Sequence, residues 1–128
     1  MRNAVIFDFD GTLVDSEKSI YECFQRTTKK IAPNRINHAK NILIGPPLRD
    51  TASEILGIDN QDKLEQFVKI FVKLHDDQVT QDTKPYPGVS DLLSEFASKK
   101  IPMAIASNKR QSPITNLIKH FKWSNYFH

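Results

Sequence analysis

The sequence has little of what marks a secreted, membrane or nucleic-acid-binding protein. Cys23 is its only cysteine, so no internal disulfide can form. It falls in a helical-looking stretch, where a small buried hydrophobe is the expected role rather than a nucleophile. No apolar run approaches the roughly 20 residues that span a bilayer. The apolar stretch after Arg2 is short and ends in acids, unlike a secretory signal. No dense Lys/Arg tract with interleaved aromatics is present, so the net charge of +3 is thin support for a nucleic-acid partner. There is no internal repeat and no low-complexity segment. A reducing cytoplasm is the expected location, with no membrane and no nucleic acid as partner.

What is present is a globular composition, 39% hydrophobic and 26% charged over 128 residues, within the range of one domain. The mild positive balance suits an anionic substrate. The informative stretch is Ala4-Val5-Ile6-Phe7-Asp8-Phe9-Asp10-Gly11-Thr12-Leu13-Val14-Asp15-Ser16. Val5, Ile6 and Phe7 read as a short buried strand. Two acids follow at i and i+2, and the twist at a strand end can turn one to each side of a ligand. Gly11 allows a sharp exit from the sheet, and Thr12 adds a hydroxyl at the strand end where open α/β sheets bind ligands. A carboxylate so placed can attack phosphorus and split one hard step into two easier ones. Such an attack needs a cation to offset repulsion between carboxylate and phosphate, and Mg²⁺ suits this donor set. An exposed acidic loop is the bland alternative for a bare Asp-x-Asp.

The rest of the chain alternates between helix and strand signals. Apolar spacing predicts a helix from Ser16 to about Ile31, with Asp15 or Ser16 as its cap. A short helix is expected over Asn37–Ile44, stopped by Gly45-Pro46-Pro47, and another over Leu48–Leu56, ended by Gly57. The longest covers Asn60 to about Val79, with Leu64, Phe67, Val68, Phe71, Val72 and Leu74 mostly on one face. His75-Asp76-Asp77 carries metal-capable side chains, but consecutive helix positions diverge, so no metal site is expected there. Thr83-Lys84-Pro85-Tyr86-Pro87-Gly88 reads as a stiff connector with a turn. A helix over Val89–Lys99, a strand over Ile101–Ala106 and a helix over Gln111–Phe121 follow, and an aromatic tail from Trp123 to His128 closes the chain. Strand–helix pieces thus bracket about seventy helical residues, a pattern that fits an α/β core with a helical insert better than one bundle.

Ser107 ends the second strand as Asp8 ends the first. If the two pair in parallel, their carboxyl ends lie about 4.8 Å apart. The Ser107 hydroxyl and the Asn108 and Lys109 amides then stand where they can hold phosphate oxygens, beside a helix amino terminus. A plain Ser-Asn turn is the competing reading.

The string Asp8-Phe9-Asp10-Gly11-Thr12-Leu13-Val14-Asp15-Ser16 resembles motif I of the haloacid dehalogenase superfamily, in the form of its phosphoglycolate phosphatase-like branch. Ala104-Ile105-Ala106-Ser107-Asn108-Lys109 resembles motif II. The resemblance implies a Rossmann-type parallel-sheet core (residues 1–15 and 85–128) with an all-α C1 cap inserted after the first strand (residues 16–84). It implies Asp8 as nucleophile and metal ligand, Asp10 as general acid/base with its carbonyl on the metal, and Mg²⁺ as cofactor. Gly11, Thr12, Ser107 and Asn108 would bind phosphate. Ile44-Gly45-Pro46-Pro47-Leu48-Arg49-Asp50 resembles the cap segment that approaches the substrate, which makes Arg49 a candidate contact to its anion. A solvated arginine at a helix start is the equal alternative. Pro85 to Gly88 resembles the return hinge.

The function implied is Mg²⁺-dependent hydrolysis of a small phosphate monoester through an aspartyl phosphate. Phosphomutase and pyrophosphatase activities share much of this framework. The family continues past Tyr126-Phe127 to a lysine (motif III) and then to one or two acids (motif IV), and neither motif is found within these 128 residues. Lys109 and Lys119 do not sit in a motif III context. The expectation is therefore a truncated sheet, weak or absent activity, and self-association through an open edge on the second strand. A non-catalytic interaction module is the rival reading.

Overall fold

The computed structural model describes residues 3–127. Val5–Phe7 forms β1 and Met103–Ile105 forms β4, and the two pair in parallel with Val5 opposite Met103 and Phe7 opposite Ile105. The second strand is shorter than the expected Ile101–Ala106: Ile101 and Pro102 act as its approach, and the Pro102 carbonyl accepts the Val5 N–H at 3.0 Å. A parallel pair needs a long crossover, and this one is almost entirely helical.

The crossover leaves and re-enters through a two-residue ladder. Val14–Asp15 (β2) pairs antiparallel with Lys84–Pro85 (β3), and the Tyr86 N–H donates to the Leu13 carbonyl at 3.1 Å. Sequence alone did not show this ladder, since each strand has two residues and Pro85 has no N–H to give it. It holds the exit and return of the helical segment side by side.

Between them lie α1 (Glu17–Ile31), α2 (Ile36–Ala39), α3 (Leu48–Leu56) and α4 (Leu64–Asp82). Pro33 ends α1 by removing a donor. α2 is shorter than the predicted Asn37–Ile44. The Asn41 N–H bonds back to His38 and its side-chain amide to the Asn37 carbonyl, which tightens the last turn and takes over a helix acceptor. α3 stops at Gly57, whose φ of +73° suits glycine. α4 starts later than predicted because Ile58–Lys63 forms a 3₁₀ turn. There the Asn60 amide donates to the Leu56 carbonyl and Gln61 to those of Ser53 and Gly57. The helices α5 (Val89–Ser98) and α6 (Gln111–His120) complete the chain near their expected bounds.

Two apolar clusters result. Phe24, Ile55, Leu56, Phe67 and Phe71 centre the helical one, with the Phe24 and Phe71 rings 4.4 Å apart. Phe9, Leu13, Val14, Leu93, Met103, Leu117 and Trp123 centre the other, beside the parallel strands. α4 serves both, since Val79 packs in the second cluster. The Trp123 indole N–H finds the Ser90 hydroxyl at 3.1 Å. Phe127 bridges Met103 in parallel, so the edge of β4 expected to be bare is met by the last described residue, while His128 lies outside the described residues. No described helix is long and apolar enough to cross a membrane.

Candidate active site

The parallel register puts Asp8, just past β1, beside the Ala106-Ser107 exit of β4. Phe9 is fully buried beneath them and anchors the loop, with Asp8 exposed and Asp10 partly buried on either side of it. One Asp8 oxygen accepts the Phe9 N–H at 2.8 Å. The chain then folds back tightly, with the Leu13 N–H on the Phe9 carbonyl and the Gly11 N–H on the Val14 carbonyl, both at 2.9 Å. Gly11 makes this turn at φ +81°, a conformation that disfavours any side chain.

Asp10 is held from two sides. The Ser16 hydroxyl donates to one carboxylate oxygen at 2.6 Å, and the Lys109 ammonium lies 3.3 Å from the other. Sequence reading offers Ser16 as a helix cap, but its side chain makes no capping bond and is spent on Asp10. Lys109 is the larger omission. It is set aside on motif grounds, yet the β4 exit carries it straight to Asp10, and the two side chains are only 9% and 13% exposed. Burial lowers the Lys109 pKa, and the neighbouring Asp10 charge opposes that shift. Its position two residues beyond Ser107 was the signal available for finding it.

A cavity of about 530 Å³ opens over these groups, between the two apolar clusters. Asp8, Asp10, Ser107, Asn108, Lys109 and Arg110 line one side, and Ile20, Phe24, Leu48, Phe71 and His75 the other. The Ser107 hydroxyl accepts the Lys109 N–H at 3.0 Å. Two contacts tie the sides together. The Asn108 amide donates to the Gly45 carbonyl at 3.0 Å, and Arg110 pairs with Asp76 of α4 at 2.6 Å. Of the expected phosphate-binding residues, Ser107 and Asn108 line the cavity, while Gly11 and Thr12 do not.

Arg49 also departs from expectation, because it does not line the cavity. It forms a two-pronged pair with Glu65, which lowers the Glu65 pKa and raises that of Arg49. Both partners are exposed, and a carboxylate one helix away on the surface has claimed the guanidinium. His75, by contrast, is turned inward and lines the cavity.

Among the described residues, no three His, Cys, Asp or Glu side chains gather to hold a metal by themselves. His75 is buried in the cavity wall, and the Asp76 carboxylate pairs with Arg110. Both Asp10 oxygens are engaged, which leaves Asp8, with one oxygen on the Phe9 N–H, as the open anionic donor. So sparse a set fits Mg²⁺, which takes one or two carboxylates and completes its shell with phosphate and water.

The profile of the haloacid dehalogenase-like hydrolase family matches residues 5–128. The chain belongs to this family. Within it, the chain is 30% identical over 126 residues to a phosphoglycolate phosphatase of Aquifex aeolicus, covering 96% of this chain and 57% of that protein. It is 29% identical to the pyrophosphatase PpaX of Anoxybacillus flavithermus, over 98% of this chain and 57% of that protein. A solved haloacid dehalogenase-like family hydrolase of Streptococcus pneumoniae superposes with a TM-score of 0.75 at 26% identity, over 98% of this chain and 59% of the other. The chain therefore spans a little over half the length of the relatives it matches. The incomplete α/β core with its helical crossover is the family's fold.

Proposed function

We propose that this family member is a Mg²⁺-dependent hydrolase of small phosphate monoesters, similar to phosphoglycolate phosphatase, that works through an aspartyl phosphate. The observation carrying this reading is the parallel register of β1 and β4. It supports one pocket in which Asp8, Ser107 and the Lys109-bound Asp10 meet. In this reading the Asp8 carboxylate attacks phosphorus and the ester P–O bond breaks. Asp10, protonated once the bound phosphoryl group draws the Lys109 ammonium away from it, delivers that proton to the leaving alkoxide. Asp10 then takes a proton from the water that attacks the phosphorus of the aspartyl phosphate, releasing phosphate and free Asp8.

Ser107, Asn108 and Lys109 hold the phosphoryl oxygens, and Ser16 keeps Asp10 aimed. Asp8 and the Asp10 carbonyl would hold Mg²⁺, which when bound offsets the charge between carboxylate and phosphate. Residues 16–84 act as a cap on the cavity, hinged at the β2–β3 ladder, and exclude water. The kinship to a pyrophosphatase puts pyrophosphate in the substrate panel beside phosphoglycolate.

The test is hydrolysis of an aryl phosphate with and without Mg²⁺, beside Asp8→Asn. A second readout is the melting temperature with Mg²⁺ and BeF₃⁻, a mimic of phosphate on aspartate. The expected results are a BeF₃⁻ shift and Mg²⁺-dependent turnover, weak in a chain that spans a little over half the length of its relatives, both lost in Asp8→Asn. Turnover that survives the substitution, or a chain that neither turns over nor shifts, overturns the reading.

A further inference from the structure

We propose that His75 is a specificity-determining residue whose Nε2–H donates to a carboxylate oxygen on the leaving group of the phosphate ester. The assignment rests on the phosphatase reading above.

His75 is 2% exposed and lines the cavity opposite Asp8, Asp10 and Ser107. Its Nε2 has no hydrogen-bond partner among the described residues. The Ser19 and Thr83 hydroxyls share that condition, but neither lines the cavity. A hydroxyl can also rotate toward a weak acceptor, whereas a ring nitrogen is fixed in direction. The His75 ring is further held by stacking on Phe71, with centroids 5.6 Å apart at 25°.

The other ring nitrogen, Nδ1, lies 3.9 Å from the Cys23 sulfur. Burial pushes the Cys23 thiol up to about 11, so the sulfur keeps a proton that it can turn toward Nδ1. In the tautomer this assignment takes, Nδ1 accepts from the thiol and Nε2 carries the proton of the neutral ring. Burial, with Lys109 and Arg110 nearby, holds the imidazole pKa down to about 3, so His75 offers a donor and no charge of its own.

The remaining lining explains why one donor matters. The phosphate is gripped on the strand side by charged and polar groups, which leaves the rest of the ester facing the helical side. That side presents Ile20, Phe24, Leu48 and Phe71, with Thr51 and His75 as polar side chains among them and His75 the one with a buried, unpartnered polar atom. In a largely apolar wall a placed polar group fixes orientation. The positive field of Lys109 and Arg110 makes an anionic acceptor the better match.

The probes are 3-phosphonopropionate, which carries a carboxylate, and propylphosphonate, which carries a methyl group in its place. Neither can be hydrolysed, so the readouts are calorimetric affinity with Mg²⁺ and the His75 ring-nitrogen NMR signal. The carboxylate compound is expected to bind about ten- to a hundredfold more tightly and to move the Nε2–H resonance, which propylphosphonate leaves in place. His75→Phe should remove the preference without weakening propylphosphonate, and His75→Gln should keep part of it. Equal affinities in the unaltered chain, or a preference that survives His75→Phe, overturn the assignment alone. Failure of both phosphonates to bind in an Asp8- and Mg²⁺-dependent way overturns the phosphatase reading and the assignment with it.

Discussion

Lys109 is nearly enclosed, and burial lowers its pKa while the Asp10 carboxylate at 3.3 Å opposes that shift. Ion pairs held this way are weak contributors to stability, so the pair points to chemistry. Lys109→Met is expected to lower turnover of an aryl phosphate on the order of 10²–10³-fold, the usual effect of losing one preorganised charge contact. The fold should survive, because Asp10 keeps the Ser16 hydroxyl and faces the cavity. Steady-state kinetics beside a circular dichroism spectrum check both halves of the expectation. Unchanged turnover would reduce Lys109 to a bystander.

At the scale of elements, the helical segment is held by aromatic packing between α1 and α4. Phe24 touches both Phe67 and Phe71, and Phe71 also stacks on His75. Phe71→Ala is expected to cost about 3–5 kcal/mol, the range for removing a large aromatic from a core, read from urea unfolding. Because Phe71 also lines the cavity, phosphonate affinity should fall with it. By contrast, the Arg49–Glu65 pair is exposed, and exposed pairs contribute little.

For the molecule as a whole, α4 is the coupling element. Phe67 and Phe71 lie in the helical cluster and Val79 in the cluster beside the strands, so neither cluster can lose α4 alone. A single thermal transition is expected, with equal calorimetric and van't Hoff enthalpies. Two separate transitions would show the helical segment melting by itself. Acid should weaken this one unit through His75, which faces Cys23, Lys109 and Arg110. Its folded pKa of about 3 lies below the ordinary 6.5, so the unfolded chain binds the proton first. The contribution is complete above about pH 6.5 and is lost progressively as pH falls toward 3. The melting temperature of His75→Gln should fall less steeply across that window.

Local chemistry made much of this legible in the amino-acid order. Val5–Phe7 is a strand because its residues are β-branched or aromatic, α3 runs from Leu48 to Leu56 because proline precedes it and glycine follows, and Asp8, Asp10 and Ser107 stand out because they end apolar runs. The end of α2 at Ala39 and the start of α4 at Leu64 were less legible, because Asn41, Asn60 and Gln61 side chains compete for the backbone there. Only the tertiary structure decided the partners. Lys109 reaches Asp10 because β4 lies in register with β1, Ser16 turns from its helix to Asp10, Arg49 is drawn off by Glu65, and His75 is enclosed by Phe71 and Cys23. Those contacts join residues up to about a hundred positions apart. Spacing along a chain cannot state them, since they depend on which strand edges and helix faces pack together.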